Sequence, residues 1–236
     1  NAQWIDIAQG KSRTYIVGYE FDKIIRTQAE LDAFNQANPN YKHNGLKPEL
    51  GMMVFKDLSG PEGKPDGEIS SWDRVMLHSK NFPVVYGLNL GGSWKGLNID
   101  MMFSGRLGEK KWMSDLAGGV EWNRMWNQWY YDSWTPETPD ATLPKRISNN
   151  SPKTYQTASS FWLKDGSFMR LKYLTVSYDL PKNQFYNKMF ENVRLFVTGT
   201  NLFVLSGFNK YYDPEIGGGN AFPVLRSFNF GVDVKF

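Results

Sequence analysis

The sequence contains no cysteine. That removes disulfide frameworks, thiol nucleophiles and cysteine-zinc clusters together. Histidine is almost as scarce, with only His43 and His78. Neither has metal-ligand or triad spacing around it, so no catalytic constellation is visible and the chain is expected not to be an enzyme. No run approaches the ~20 apolar residues that a membrane helix needs. The mean hydropathy of −0.50 does not exclude a membrane β-barrel, whose strands alternate apolar and polar residues. Net charge is only +3, with 22% charged residues, so nucleic acid is not an expected partner. The chain opens Asn1-Ala2-Gln3 with no initiator Met and no signal pattern. The expectation is a processed precursor or a piece of something longer.

Aromatic residues are abundant at 16%, with 9 Trp, 12 Tyr and 16 Phe. Tyr and Trp suit boundaries where one end of a ring is apolar and the other wet. The last residues show how they are used. Phe228, Phe230, Val232, Val234 and Phe236 share one parity, and Ser227, Asn229, Gly231, Asp233 and Lys235 share the other. A charge on a lipid-facing strand near mid-bilayer costs ~2–4 kcal/mol, which explains an uncharged face.

The same alternation recurs upstream. Val84, Tyr86, Leu88, Leu90 and Trp94 lie on one face, the turn Lys95-Gly96 follows, and Leu97, Ile99, Met101 and Phe103 return. Tyr15 to Phe21 and Val193 to Val197 alternate as well. In 168–180, Met169, Leu171 and Tyr173 share one parity while Leu174, Val176 and Tyr178 share the other. A bulge, or a strand rising above the membrane, accounts for such a switch. Alternation predicts about six spanning strands. Counted back from a periplasmic Phe236, the long links 23–83, 106–166 and 205–224 all fall outside, and the short links at 95–96 and 181–191 fall inside. Outer-membrane barrels show that asymmetry. Helices are expected from Thr27, as cap, to Ala37, with Glu30 three residues on, and over 119–131.

About six strands are too few for a single-chain bacterial barrel, which starts at about eight. At this point the chain resembles the C-terminal part of SusC/RagA-type TonB-dependent transporters. The resemblance is carried in order by Gly18-Tyr19 with Asp22-Lys23-Ile24-Ile25-Arg26-Thr27-Gln28-Ala29-Glu30-Leu31, by Phe55-Lys56-Asp57-Leu58-Ser59-Gly60 with Asp66-Gly67-Glu68-Ile69, and by Trp134 with Pro136 to Ala141 and Pro144-Lys145-Arg146. It continues through Ser160 to Leu174, Thr198-Gly199-Thr200-Asn201-Leu202-Phe203, Tyr212-Asp213-Pro214-Glu215 and the terminal strand. The resemblance implies an all-β fold, a transmembrane antiparallel barrel of 22 strands with a plugged lumen. Residues 1–236 would form its C-terminal segment with long extracellular loops, the plug and N-terminal strands lying elsewhere. It further implies TonB-driven uptake of glycan or oligopeptide across a Gram-negative outer membrane. The implied partners are a SusD-like surface lipoprotein, TonB, the barrel-assembly machinery, the lipid bilayer and the N-terminal part of the same barrel. Phe228, Phe230, Val232, Val234 and Phe236 would be the assembly signal.

Two candidate sites remain. Asp57, Ser59, Asp66 and Asp73 offer oxygen ligands to a hard cation such as Ca²⁺. The alternative is a turn shaped by Asp and Gly, since Pro61, Gly63 and Pro65 intervene. Trp112, Trp122, Trp126, Trp129, Tyr130 and Trp134 form either a ligand-contacting wall or a small loop core. Asn89, Asn98, Asp100, Asn229 and Asp233 are expected on the lumen side. Two other functional classes stay open: a barrel that scaffolds an envelope complex, and a soluble β-sandwich carbohydrate-binding module.

Overall fold

The computed structural model describes residues 15–79, 83–113, 127–147, 158–181, 190–208, 212–216, 222 and 224–236. Two compact units divide the chain, one of residues 1–81 with 110–164 and the other of residues 82–109 with 165–236. Among the described residues, no helix is long and apolar enough to cross a membrane.

The second unit is one antiparallel sheet of five long strands. These are β1 (Val84–Trp94), β2 (Leu97–Leu107), β3 (Phe168–Asp179), β4 (Asn192–Ser206) and β5 (Ser227–Lys235). Their spatial order is β5-β4-β3-β2-β1. β1 and β2 are joined at Lys95-Gly96, both with positive φ, 48° and 85°. That is the left-handed pair a two-residue hairpin turn requires, and glycine at the second position meets it without strain. Gly96 O accepts from Asp179 N at 2.8 Å, which ties the turn to the end of β3. Val84 pairs with Leu107, and Arg106 with Phe168, while Phe168 pairs with Ser206. The long segments 108–167 and 207–226 therefore leave the sheet at one end, and the short links 95–96 and 180–191 at the other. The loop asymmetry expected from the sequence is present in the strand register.

The parity switch in β3 is a bulge. Leu171 pairs with Phe103 and Tyr173 with Met102, so Lys172 has no counterpart in β2. On the β4 side the partners jump from Phe203 to Thr200, where Asn201 takes φ 52°. The extra residue restores Met169 and Leu171 to the apolar face of Leu174, Val176 and Tyr178.

One expectation is corrected. Tyr15 to Phe21 does not add a sixth strand to this sheet. Tyr15–Gly18 pairs with Val75–Ser79, and Phe21–Ile24 pairs with Met53–Phe55, each as a two-stranded sheet in the first unit. Within Tyr15 to Phe21, Gly18 and Tyr19 are buried, and Tyr19 packs against His43 and Phe55. Period-2 patterning reports a half-buried strand, whatever covers it.

The first helix forms as expected. α1 spans Gln28–Ala37, and the Thr27 side chain accepts from Glu30 N. Glu30 Oε2 in turn accepts from Arg26 N at 2.6 Å, one residue before the cap. The second helix, α2, is described over Asn127–Tyr131; the rest of its expected span lies outside the described residues.

Candidate functional site

The sheet register assigns every side chain of the second unit to a face. Across one row stand Trp94, Leu97, Tyr178, Leu195 and Val232, and across a nearby row Leu90, Met101, Leu174, Gly199 and Phe228. Leu88, Leu90, Trp94, Val176, Tyr178, Leu195, Val197, Phe228 and Val232 are all exposed, and Phe230 reaches 77%. A water-soluble surface rarely carries a contiguous apolar patch of more than a few hundred Å². The opposite face holds Asn98 beside Ser93, Asp100 beside Gly91, Asn229 beside Thr198 and Asp233 beside Arg194. Thr175 and Thr198 exchange a hydrogen bond at 2.9 Å, and Arg194 Nε donates to Asp179 at 2.7 Å. The polar residues expected to line a lumen thus share one face. Phe228, Phe230, Val232 and Val234 run along β5, an edge strand, and Phe236 follows its last residue.

The first unit is organised by aromatic residues and by motifs far apart in sequence. Arg26 Nη1 donates to Pro139 O at 2.5 Å and Ala141 O at 2.8 Å, and Trp134 Nε1 donates back to Arg26 O at 3.1 Å. Trp134 lies against Gly51, whose φ is 77°; a Cβ there would sit 2.4 Å from the indole. Trp129 and Trp162 are buried with ring centroids 6.0 Å apart. Ser160 Oγ accepts from Phe21 N at 2.9 Å.

This arrangement sorts the aromatic candidates. Trp129 and Trp134 are core. Trp112 is half-buried in a short strand, Lys110–Trp112. Trp122 and Trp126 lie outside the described residues. Tyr130 is exposed and meets Tyr131, also exposed and part of the same aromatic cluster in the sequence, edge to face at 4.9 Å.

The carboxylate loop resolves into backbone bonding. Asp73 is fully buried; its Oδ1 accepts from Leu58 N and Ser59 N, and its Oδ2 from Ser70 N. Asp57 Oδ2 accepts from Gly67 N at 2.6 Å and Asp66 Oδ1 from Glu68 N at 2.9 Å. Burial raises the Asp57 carboxyl above its ordinary range. Among the described residues, no group of three or more acidic, histidine or cysteine side chains is arranged to hold a metal ion. Asp57, Asp66 and Asp73 are each held by backbone N–H groups, and Ser59 contributes its own N–H to Asp73. The carboxylates close turns because backbone N–H groups reach them first.

His43 is only 5% exposed, and neither ring nitrogen has a hydrogen-bond partner. It packs edge-on against Tyr19 and Phe55. Burial pushes its pKa down to about 4, opposed by nearby Asp73. The neutral ring is thus the folded form, and its contribution is fully present above the unfolded value near 6.5. It is lost as pH falls from there through about 4. At one pKa unit per 1.36 kcal/mol this amounts to ~3 kcal/mol. His43→Phe is expected to flatten the acid limb of the stability profile between pH 6.5 and 4. Thermal melting of the intact protein across that window checks it, and an unchanged limb would place the acid sensitivity elsewhere.

Sequence reasoning did not pick out Arg170, Asp213 and Glu215. Arg170 is buried, and Asp213 and Glu215 accept its charge. Their signal was present as opposite charges in two of the quoted motifs.

No family model matches the chain. Two curated relatives from Formosa agariphila do. TonB-dependent receptor P26 is 26% identical over 96% of this chain. TonB-dependent receptor P3 is 25% identical over 79%. The chain spans 23% and 19% of their respective lengths. Among solved structures, the RagAB peptide transporter matches with a TM-score of 0.65 and 21% identity, over 94% of this chain and 23% of that one. The RagAB peptide importer in its "open-open" state matches with a TM-score of 0.64 and 20% identity, over 94% of this chain and 22% of that one. In sequence over most of its length, and in fold, the chain is similar to a segment of SusC/RagA-type TonB-dependent transporters.

Proposed function

We propose that the chain is the C-terminal wall, with its outer loops, of a TonB-dependent transporter that imports glycan or oligopeptide nutrients across a Gram-negative outer membrane. The observation that carries this reading is the five-stranded sheet with one uninterrupted, exposed apolar face and one polar face behind it. In a soluble sandwich that apolar face packs against a second sheet; in a membrane it meets lipid. β1 and β5 are long edge strands, and long bare edges invite further pairing. The N-terminal strands of the same barrel are the natural partners, completing a wide barrel of 22 strands.

The relatives are named receptors and the neighbours a peptide importer or transporter. Transport, not catalysis, follows for this chain. A SusD-like lipoprotein at the outer mouth and TonB on the periplasmic side are the partners of this role. Tyr130, joined by Tyr131, with Trp112, Trp122 and Trp126, is assigned to ligand contact. Phe228, Phe230, Val232, Val234 and Phe236 are assigned to recognition by the assembly machinery.

The full-length protein tests the reading. It is expected in the outer-membrane fraction as a heat-modifiable barrel that requires detergent for extraction, and its removal is expected to abolish uptake of a labelled glycan or peptide. Recovery in the soluble fraction would sink the proposal. Deletion of Phe236 alone, a residue 87% exposed at the chain end, is expected to lower the assembled barrel several-fold at equal synthesis. Unchanged assembly would remove Phe236 from the signal.

A further inference from the structure

We propose that residues 212–216, in the connection between β4 and β5, form a charge-locked strap, clamped onto the polar face of the sheet by Arg170 through Asp213 and Glu215. The inference rests on the transporter reading for its setting, in which that face lines the lumen. Arg170 pairs with Ser104 of β2 and Val204 of β4, and Ser104 belongs to the polar face. Its side chain is 4% exposed. Nη2 donates to both Asp213 oxygens at 2.6 Å. Nε lies 2.9 Å from Glu215 Oε2, an ion pair without hydrogen-bond alignment. Glu215 Oε1 takes Lys172 Nζ at 2.5 Å. Glu215 N donates to Asp213 Oδ1 at 2.8 Å, so the strap's backbone holds its two carboxylates in register.

The bulge makes the clamp compact. Lys172 is the extra residue of β3, and it reaches the same carboxylate as Arg170. Two cations of one strand thus face two anions of one short loop segment. Nearer β4, the connection is fixed separately: Ser206 Oγ donates to Ser167 O at 2.7 Å and accepts from Phe208 N at 3.0 Å, and Phe208 is buried. The strap therefore has a root at Phe208 and a clasp at Arg170. A guanidinium this buried is tolerated only while its carboxylates are in place, because an uncompensated buried charge is strongly unfavourable. Neutralising the clasp leaves the root intact and frees residues 212–216, which makes docked and released positions the two states of a conformational device.

The test uses the full-length transporter assembled in its membrane. Nitroxide labels are placed at Ile216→Cys on the strap and Asn89→Cys on the polar face of β1; this chain contributes no other cysteine. The parent is expected to give one narrow distance. D213N/E215Q, which keeps side-chain shape, is expected to broaden and lengthen it and to raise cleavage of the strap by external protease at least ~tenfold. An unchanged distance and cleavage rate in D213N/E215Q would overturn the proposal. If that variant fails to assemble, the charge-reversed pair R170D with D213R replaces it, made together with E215Q so that no like charge faces the new carboxylate. A restored barrel with the short distance supports the clasp, and no restoration overturns it. A failure of the transporter reading is seen separately, as absence of the unlabelled parent from the outer membrane.

Discussion

Val197→Lys is expected to cost ~2–4 kcal/mol of barrel stability and to reduce the assembled protein sharply. Val197 sits on the exposed apolar face, between Val176 of β3 and Phe230 of β5 in the register. β4 runs from Asn192 to Ser206, so Val197 stands well inside the strand, where a lysine cannot easily reach water. Asn229→Lys supplies the comparison: Asn229 is on the opposite face, beside Thr198, where a charge meets polar neighbours. Its assembly is expected to stay close to the parent. Heat-modifiable band intensity in outer-membrane fractions reads both. Equal loss from the two variants would mean that charge itself, not the face, is disfavoured, and the lipid assignment would fall.

Trp162→Ala is expected to destabilise the loop unit by ~3–5 kcal/mol, the usual cost of removing a large buried aromatic ring. Trp162 is fully buried and packs against Trp129 at 6.0 Å and Phe161 at 4.7 Å. Its carbonyl accepts from Met113 N, so the residue also anchors the short strand that contains Trp112. The indole N–H has no partner. Trp162→Phe therefore removes ring volume without removing a hydrogen bond, and its cost is expected to be much smaller. Protease resistance of the loops in the assembled transporter, with uptake measured in parallel, separates the two variants. Trp162→Ala should lose both while the barrel itself still assembles. Full retention of loop resistance would show that this aromatic core is dispensable.

Local patterning carried much of this architecture. Alternation marked all five strands of the sheet, the Lys95-Gly96 turn and the two faces, because strand periodicity is written in neighbouring residues. The switch at Lys172 was visible as a change of parity, and the register shows the bulge that causes it. Alternation also misled. Tyr15 to Phe21 reads like a membrane strand but is used in the loop unit, where Tyr19 packs on His43 and Phe55. Nothing in a period of two says whether lipid or protein covers the apolar side.

The candidate site was less legible for a related reason. Carboxylates spaced through residues 57–73 have the composition of a cation loop and of a turn alike, and only the structure shows that Asp73 meets the amides of Leu58, Ser59 and Ser70. Trp129 and Trp134 are core while Tyr130 is exposed, a division that depends on which elements pack over α2. Arg170 finds Asp213 across a sequence separation of 43. By itself the sequence determined the strands, their facing and the terminal apolar stripe, all local properties of a pleated chain. Only the tertiary structure decided which strands pair, which aromatic rings are covered and which charges meet, because those outcomes depend on residues distant in sequence and no local period encodes a partner.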